Sequence, residues 1–432
     1  MKKLISVILS LALMGSLAAC GKGGEKEGAN GDKIVIELAM HTANVEEQEP
    51  AVWAVVQKYM EENEDVEIKI TGKELNDHVS SMKMKAESKE LPDMFWMTLA
   101  PAKEMASAGY LYCIDDFISE NGLDQVMADN MLNLMEVDGK HYGLPYQSLV
   151  TGFWYNADLF AENNLEVPQT YEDLKAAAEV FSSQGITTIA NGAKDPHSVW
   201  GMMGLLTHYG FFDHIYEILD GNESYNNDDF RKFYEKLDEL RESGAFAENV
   251  STTSYAQAKE LFMSGQAAML DSGSWDANAL DSCDFEVGFT WGVSFSDGVG
   301  DQNISNMFPH APLVINAELE NEPEKLEAVL DFYQYYYSQE GSWDMIEQMT
   351  TPPVSYTGEI PEDFLQEHPT FGKLMDAMAM PDRVSFVCQP NDVSTEGFAN
   401  ALYDSIYGVI NGIYSPDEAM DVVQTEIEAG LR

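Results

Sequence analysis

Lys33-Ile34-Val35-Ile36-Glu37-Leu38-Ala39-Met40 is a β-rich apolar run, and it opens the stretch, residues 33 to 107, that decides the fold. Val45 to Glu62 carries apolar residues at helical spacing (Val52, Val55, Val56, Tyr59), Val66 to Ile70 alternates like a strand, and Asn76 to Ser88 reads as helix. Met94 to Met97 is then a short buried strand and Pro101 to Ser107 a further helix. Strand and helix in alternation predict an α/β fold, a parallel sheet with helices on its faces. Ligands of such sheets bind beyond the carboxyl ends of the strands, so the loops after Met40 and after Trp96 are candidate site loops.

Upstream, Lys2 and Lys3 precede an apolar run from Leu4 to Met14, and small residues lead to Cys20. This is the layout of a secretory signal, and the run is shorter than the ~20 residues needed to span a bilayer. Leu17-Ala18-Ala19-Cys20-Gly21 resembles the lipobox of bacterial lipoproteins, which implies residues 1–19 as signal peptide and Cys20 as the lipid-bearing mature N-terminus. Residues 20–32, rich in Gly, Lys and Glu, read as a lipidated tether.

Downstream, Thr170-Tyr171-Glu172-Asp173 and Ser254 with Gln257 are helix-capping patterns, the second leading to Gly265 and a buried strand from Ala267 to Leu270. Asp271-Ser272-Gly273-Ser274-Trp275 reads as a turn that presents a tryptophan. Phe398 to Tyr414, then Ser415-Pro416-Asp417-Glu418, predict two closing helices. A chain of 432 residues suggests two or three units at about 150 residues each. With 24 basic against 74 acidic residues, binding to nucleic acid or to an anionic membrane surface is electrostatically opposed. Apart from Cys20, the cysteines Cys113, Cys283 and Cys388 are an odd number without a close pair, so no disulfide framework is indicated.

Signatures of metalloprotease, thiol redox, serine hydrolase, nucleotide-phosphate and dinucleotide sites are all missing from the sequence. Asn226-Asn227-Asp228-Asp229 lacks the spacing and closing glutamate of a calcium loop. A pair of carboxylates of the glycosidase kind stays open among so many acidic residues.

Several stretches carry a resemblance: Leu91-Pro92-Asp93-Met94-Phe95-Trp96; Asp138-Gly139-Lys140-His141-Tyr142-Gly143-Leu144-Pro145 with Trp154-Tyr155-Asn156; Leu261 to Met269 leading to Gly273-Ser274-Trp275; and the tail around Ser415 to Met420. In order and spacing they resemble the extracellular solute-binding proteins of ABC sugar importers, family 1, of the maltose-binding type. The resemblance implies a two-lobed, class II periplasmic-binding-protein-like α/β fold with the ligand in the cleft between the lobes. It assigns residues 33–146 and 300–350 to the first lobe, and 147–299 and 351–432 to the second. Crossings are expected near Pro145–Val150, Trp291–Ser296 and Thr351–Ser355. A monomer without cofactor, metal or catalytic group is implied, anchored outside the bacterial cytoplasmic membrane, with a carbohydrate ligand and ABC permease subunits as partners.

A sugar cleft needs flat aromatic walls plus fixed donors and acceptors. Trp96 and Trp275 stand where the family places aromatic contacts, with Trp200, after Asp195-Pro196-His197, next; each also has a reading as a core residue. Gln147, Thr42, Asn44 and Asp271 are polar candidates, with Asn303 and His310 after them, and each also reads as a plain loop or turn residue. The aromatic run Phe332 to Tyr337 is at helical spacing and is expected in a core. Only four arginines occur in the chain, and anionic ligands usually recruit arginine forks, so a neutral ligand is expected. A polyol, peptide or polyamine carrier on the same fold, and a lipid-anchored glycosidase, are the competing functions.

Overall fold

The protein is described by a computed structural model over residues 33–195, 198–380, 383–385 and 396–431. The expected signal and tether with Cys20, and also Pro196, His197 and Cys388, lie outside the described residues.

Strand β1 (Ile34–Met40) pairs in parallel with β2 (Val66–Gly72) and β3 (Met94–Trp96), as the alternating pattern predicts. The helix Pro50–Glu62 connects β1 to β2 and buries Val52, Val55, Val56 and Tyr59, the residues of its apolar stripe. Two long strands continue the sheet: β4 (Gly143–Asn156) and, much later in the chain, β8 (Met307–Ile315). Between them come β5 (Thr187–Ala190), β6 (Ala267–Gly273) and β7 (Val287–Thr290). The sheet order is β2-β1-β3-β8-β4-β6-β5, with β7 also paired to β4. Strand β8 is antiparallel to both of its neighbours, with Leu313 opposite Trp96 on one side and Leu144 on the other.

The hydrophobic residues gather into cores at either end of the two long strands, which gives the molecule two lobes. Leu144, Tyr146, Leu313 and Ile315 pack with Ile36, Leu38 and Val55. Farther along the same strands, Phe153 and Phe308 join Phe181 and Leu402, while Val150 and Trp154 join Phe262 and Leu270. Strand β4 thus has residues in both sets of cores, with Tyr146 in one and Val150 in another. Trp291, Val293 and Phe295, where a second crossing was expected, are buried within the second lobe's cores; the strand that reaches both sets of cores is β8. Within residues 300–306, the Gly300 amide donates to the His208 carbonyl and Ile304 is buried in the same core as Phe308. Where the third crossing was expected, Thr351 and Ser148 exchange hydrogen bonds, and Val354 sits in the first core.

Proline interrupts the ladder where the long strands pass between lobes. Pro145 faces Pro312 and Ser148 faces Pro309, so several backbone donors of an ordinary antiparallel pair do not exist. Ala311, between them, has a φ of +26°, in the region that favours glycine. The carbonyls left over are met by side chains. Tyr336 donates to the Tyr146 carbonyl at 2.7 Å and Tyr337 to that of Pro145 at 3.1 Å, so the aromatic run at 332–337 is core and also supports the proline-interrupted strands.

Candidate functional site

A cavity of about 870 Å³ opens between the lobes. One wall comes from the first lobe. Trp96 ends β3, is 3% exposed, and lies flat against His41, the first residue after β1, with ring centroids 3.9 Å apart and planes 16° from parallel. Tyr146 on β4 meets Trp96 edge-on at 6.5 Å. Gln48, Glu49 and Pro50, where the chain enters the first long helix, complete this side.

The facing wall belongs to the second lobe. Trp200 begins the helix Trp200–Leu205 and meets Trp275 edge-to-face at 4.8 Å. Trp275 is 40% exposed yet fixed in direction, because its Nε1 donates to the Tyr255 hydroxyl at 2.8 Å. Tyr255 donates in turn to Asp276, which is also bonded to Ser272 at 2.5 Å and paired with Lys259 at 2.9 Å. A large, half-exposed ring held by a buried network is pre-ordered, so less side-chain entropy is lost when a flat ligand face covers it. Trp275→Ala is therefore expected to weaken ligand binding by at least about 1 kcal/mol, roughly fivefold, with little change in unfolding midpoint. Calorimetric titration beside urea unfolding reads both quantities; unchanged affinity means that Trp275 does not touch the ligand.

Between these walls, Gln147 and His310 sit opposite one another on the crossing strands. The Gln147 amide nitrogen is 3.1 Å from His310 Nδ1 and donates to the Tyr146 hydroxyl at 3.2 Å. Burial pushes the pKa of His310 down to about 4, so at neutral pH the ring is uncharged and Nδ1 acts as acceptor.

The structure therefore brings Trp96, Trp275, Trp200, Gln147 and His310 to one cavity. It does not bring the other four candidates there. Asp271 is 1% exposed and lies on the inner face of β6, not in an open turn. Its carboxylate accepts from the amides of Gly201 at 2.6 Å and Met202 at 3.1 Å, and from Asn191 at 3.1 Å, so it pins the helix that carries Trp200. Burial raises its pKa to about 7 despite those three donors. Asn44 is exposed, with its backbone N–H donating to the Gln48 side-chain oxygen, and Thr42 is packed with its carbonyl against Gly72. Asn303 is exposed on the second lobe, where its amide donates to Asp301.

Three residues of this wall escaped the sequence reading: His41, Glu49 and Tyr146. The loop after Met40 was a candidate for its place at a strand end, but its polar tip faces solvent while its two ends, His41 and Glu49, turn inward. His41 is held neutral, its pKa lowered to about 4 mainly by burial, with His310 and His78 adding to the effect. Glu49 is moved the other way, up to about 7, because burial disfavours its charge more than the Tyr146 hydroxyl favours it. Among the described residues, no lysine or arginine lines the cavity, and no group of histidine, cysteine and carboxylate side chains could hold a metal ion. No helix among them is long and apolar enough to cross a membrane.

The sequence profile of the bacterial extracellular solute-binding proteins matches residues 54–372. The multiple sugar-binding protein of Streptococcus mutans is 26% identical over 289 residues, 63% of this chain and 65% of that one. The maltodextrin-binding protein of Bacillus subtilis is 24% identical over 285 residues, 64% of each chain. The matched region thus spans just under two thirds of these relatives. In three dimensions, ligand-free RafE from Streptococcus pneumoniae superposes with a TM-score of 0.74 at 16% identity, covering 94% of this chain and 100% of that one. With a profile match over most of its length and the same two-lobed fold, the chain belongs to the bacterial extracellular solute-binding proteins.

Proposed function

We propose that the protein captures a neutral carbohydrate, of oligosaccharide length, by closure of its two lobes and delivers it to the transmembrane subunits of an ATP-driven importer. The observation that carries this reading is the cavity itself: tryptophans from both lobes face a space of oligosaccharide size, with neutral amide and imidazole groups between them. Flat rings suit the C–H faces of sugars, and the polar groups suit their hydroxyl edges. The names of the two sugar-binding relatives agree with it. Closure would turn on the proline-interrupted strands, with the first lobe taken as 33–146 and about 311–355 and the second as the remainder; this boundary follows the crossing strands. The lipid on Cys20 would hold a monomer at the outer face of the bacterial cytoplasmic membrane.

A hydrolase that uses two carboxylates finds little support, because Glu49 is the one acidic residue among those lining the cavity and Asp271 is walled off beneath Trp200. A cationic ligand such as a polyamine is the second reading, favoured by aromatic walls around a carboxyl without a basic partner. A thermal-shift screen with neutral oligosaccharides, polyols, peptides and polyamines decides between them. A ligand at a hundred times its Kd stabilises by about 2.7 kcal/mol, a readily measured rise in Tm. A shift with neutral oligosaccharides alone supports the proposal, whereas a shift only with polyamines or peptides keeps the fold and overturns the sugar.

A further inference from the structure

The carboxyl of Glu49 is the one acidic group in the cavity wall, and the protein matches it poorly. Its side chain is 13% exposed. The nearest donors are the Tyr146 hydroxyl and His41 Nε2, each 3.4 Å from the same oxygen Oε1, long for hydrogen bonds to a carboxylate. No cation among the described residues lines the cavity beside it. His41 is neutral and stacked on Trp96, and His310 is neutral and engaged by Gln147. Glu46 and Glu47 are exposed on the preceding turn, and Tyr336 faces Glu49 from the helix beyond Tyr146. The charged residues of the helices packed on Pro50–Glu62 meet it farther along: Asp331 acts on Tyr59, and Asp344 feels Lys58 and Glu62. The cavity segment Gln348-Met349-Thr350 is uncharged. A buried acceptor without a strong internal donor is completed by donors that the ligand brings.

We propose that Glu49 is the specificity-determining residue of the cavity: it accepts hydroxyl donors of the bound sugar as a carboxylate, so that capture expels its proton to the solvent and sugars bearing a carboxylate or phosphate are refused. The inference rests on the sugar reading above. The start of a helix favours the anion, but burial prevails and raises the carboxyl to about 7, so in the empty cavity at mildly acidic pH the proton is on. Hydroxyl groups donating to the charged form lower the pKa again, and by linkage the ligand binds more tightly where the proton is already off. The rise belongs to the interval just below the raised value of the empty state, and affinity is level above it.

The test is calorimetric titration of the protein at pH 6 and pH 8 with maltotriose, raffinose and triacetylchitotriose as neutral probes and sialyllactose as an anionic one, in buffers of different ionisation enthalpy. A neutral probe that binds is expected to bind about tenfold more tightly at pH 8, with most of one proton released per ligand at pH 6, and sialyllactose gives no heat. Glu49→Gln is expected to abolish the pH dependence and the proton release. If that variant does not bind, the buffer dependence of the unaltered protein still decides. Equal affinity at both pH values without proton exchange overturns the role of Glu49 and leaves the sugar reading standing, and so does tight binding of sialyllactose. Failure of every probe at both pH values overturns both.

Discussion

Trp96→Ala is expected to lower folding stability by about 3–5 kcal/mol, the cost of emptying a large aromatic site in a core. At 3% exposure, Trp96 is as buried as a core residue while still presenting part of its ring to the cavity. Its removal unseats the stacked His41 and the edge-on Tyr146, so the carboxyl between them loses its frame. Ligand affinity should fall as well, by at least about 1 kcal/mol. Urea unfolding of the ligand-free protein separates the two effects. A midpoint close to that of the parent would show that Trp96 is not packed as described, and a folded variant with full affinity would place the ligand elsewhere. Trp275, anchored by one hydrogen bond at the rim, supplies the contrast, because its loss should register in affinity and hardly in stability.

Asp271→Ala is the second large effect, at least about 3 kcal/mol of stability, because three buried donors lose their acceptor together. The affinity loss should be secondary, through the helix that holds Trp200. The pH dependence has a definite sign. Since burial raises the native pKa of Asp271 to about 7, above the usual carboxylate value, this group's contribution is fully present below about pH 4 and is lost as pH rises through 7. Glu49 acts in the same direction. The Tm of the ligand-free protein should therefore decline between pH 5 and pH 8 apart from other titrations, and Asp271→Asn should flatten part of that decline while keeping the fold. A decline of equal depth in Asp271→Asn would remove Asp271 as its source.

The alternating elements before residue 107 were legible because β1 and β3 are apolar runs, β2 alternates, and the helix between β1 and β2 keeps one apolar stripe, patterns that local sequence records directly. The tryptophans at the ends of β3 and β6 were legible for the same reason, since strand ends in such a sheet face the cleft. The second crossing was not. Nothing local marks β8 rather than Trp291–Ser296 as the stretch that reaches both sets of cores, because the difference lies in pairing partners far away in the chain. Asp271 was misread because a polar run ending in Gly-Ser-Trp looks like an open turn, whereas its acceptor function is fixed by amides seventy residues earlier. Glu49 was hidden among many acidic residues; its burial comes from Tyr146 and the long helix, which no single-residue signal announces.

The order of strands in the sheet is also a timetable for the growing chain. Strand β8 lies between β3 and β4, yet it is made roughly two hundred residues after β3, so the loop that joins them closes late. A nascent chain that stops short of Met307 has its first three strands and the start of β4 but nothing to lie between them. Neither lobe can finish early, and the sheet stays open until nearly three quarters of the polypeptide has been synthesised.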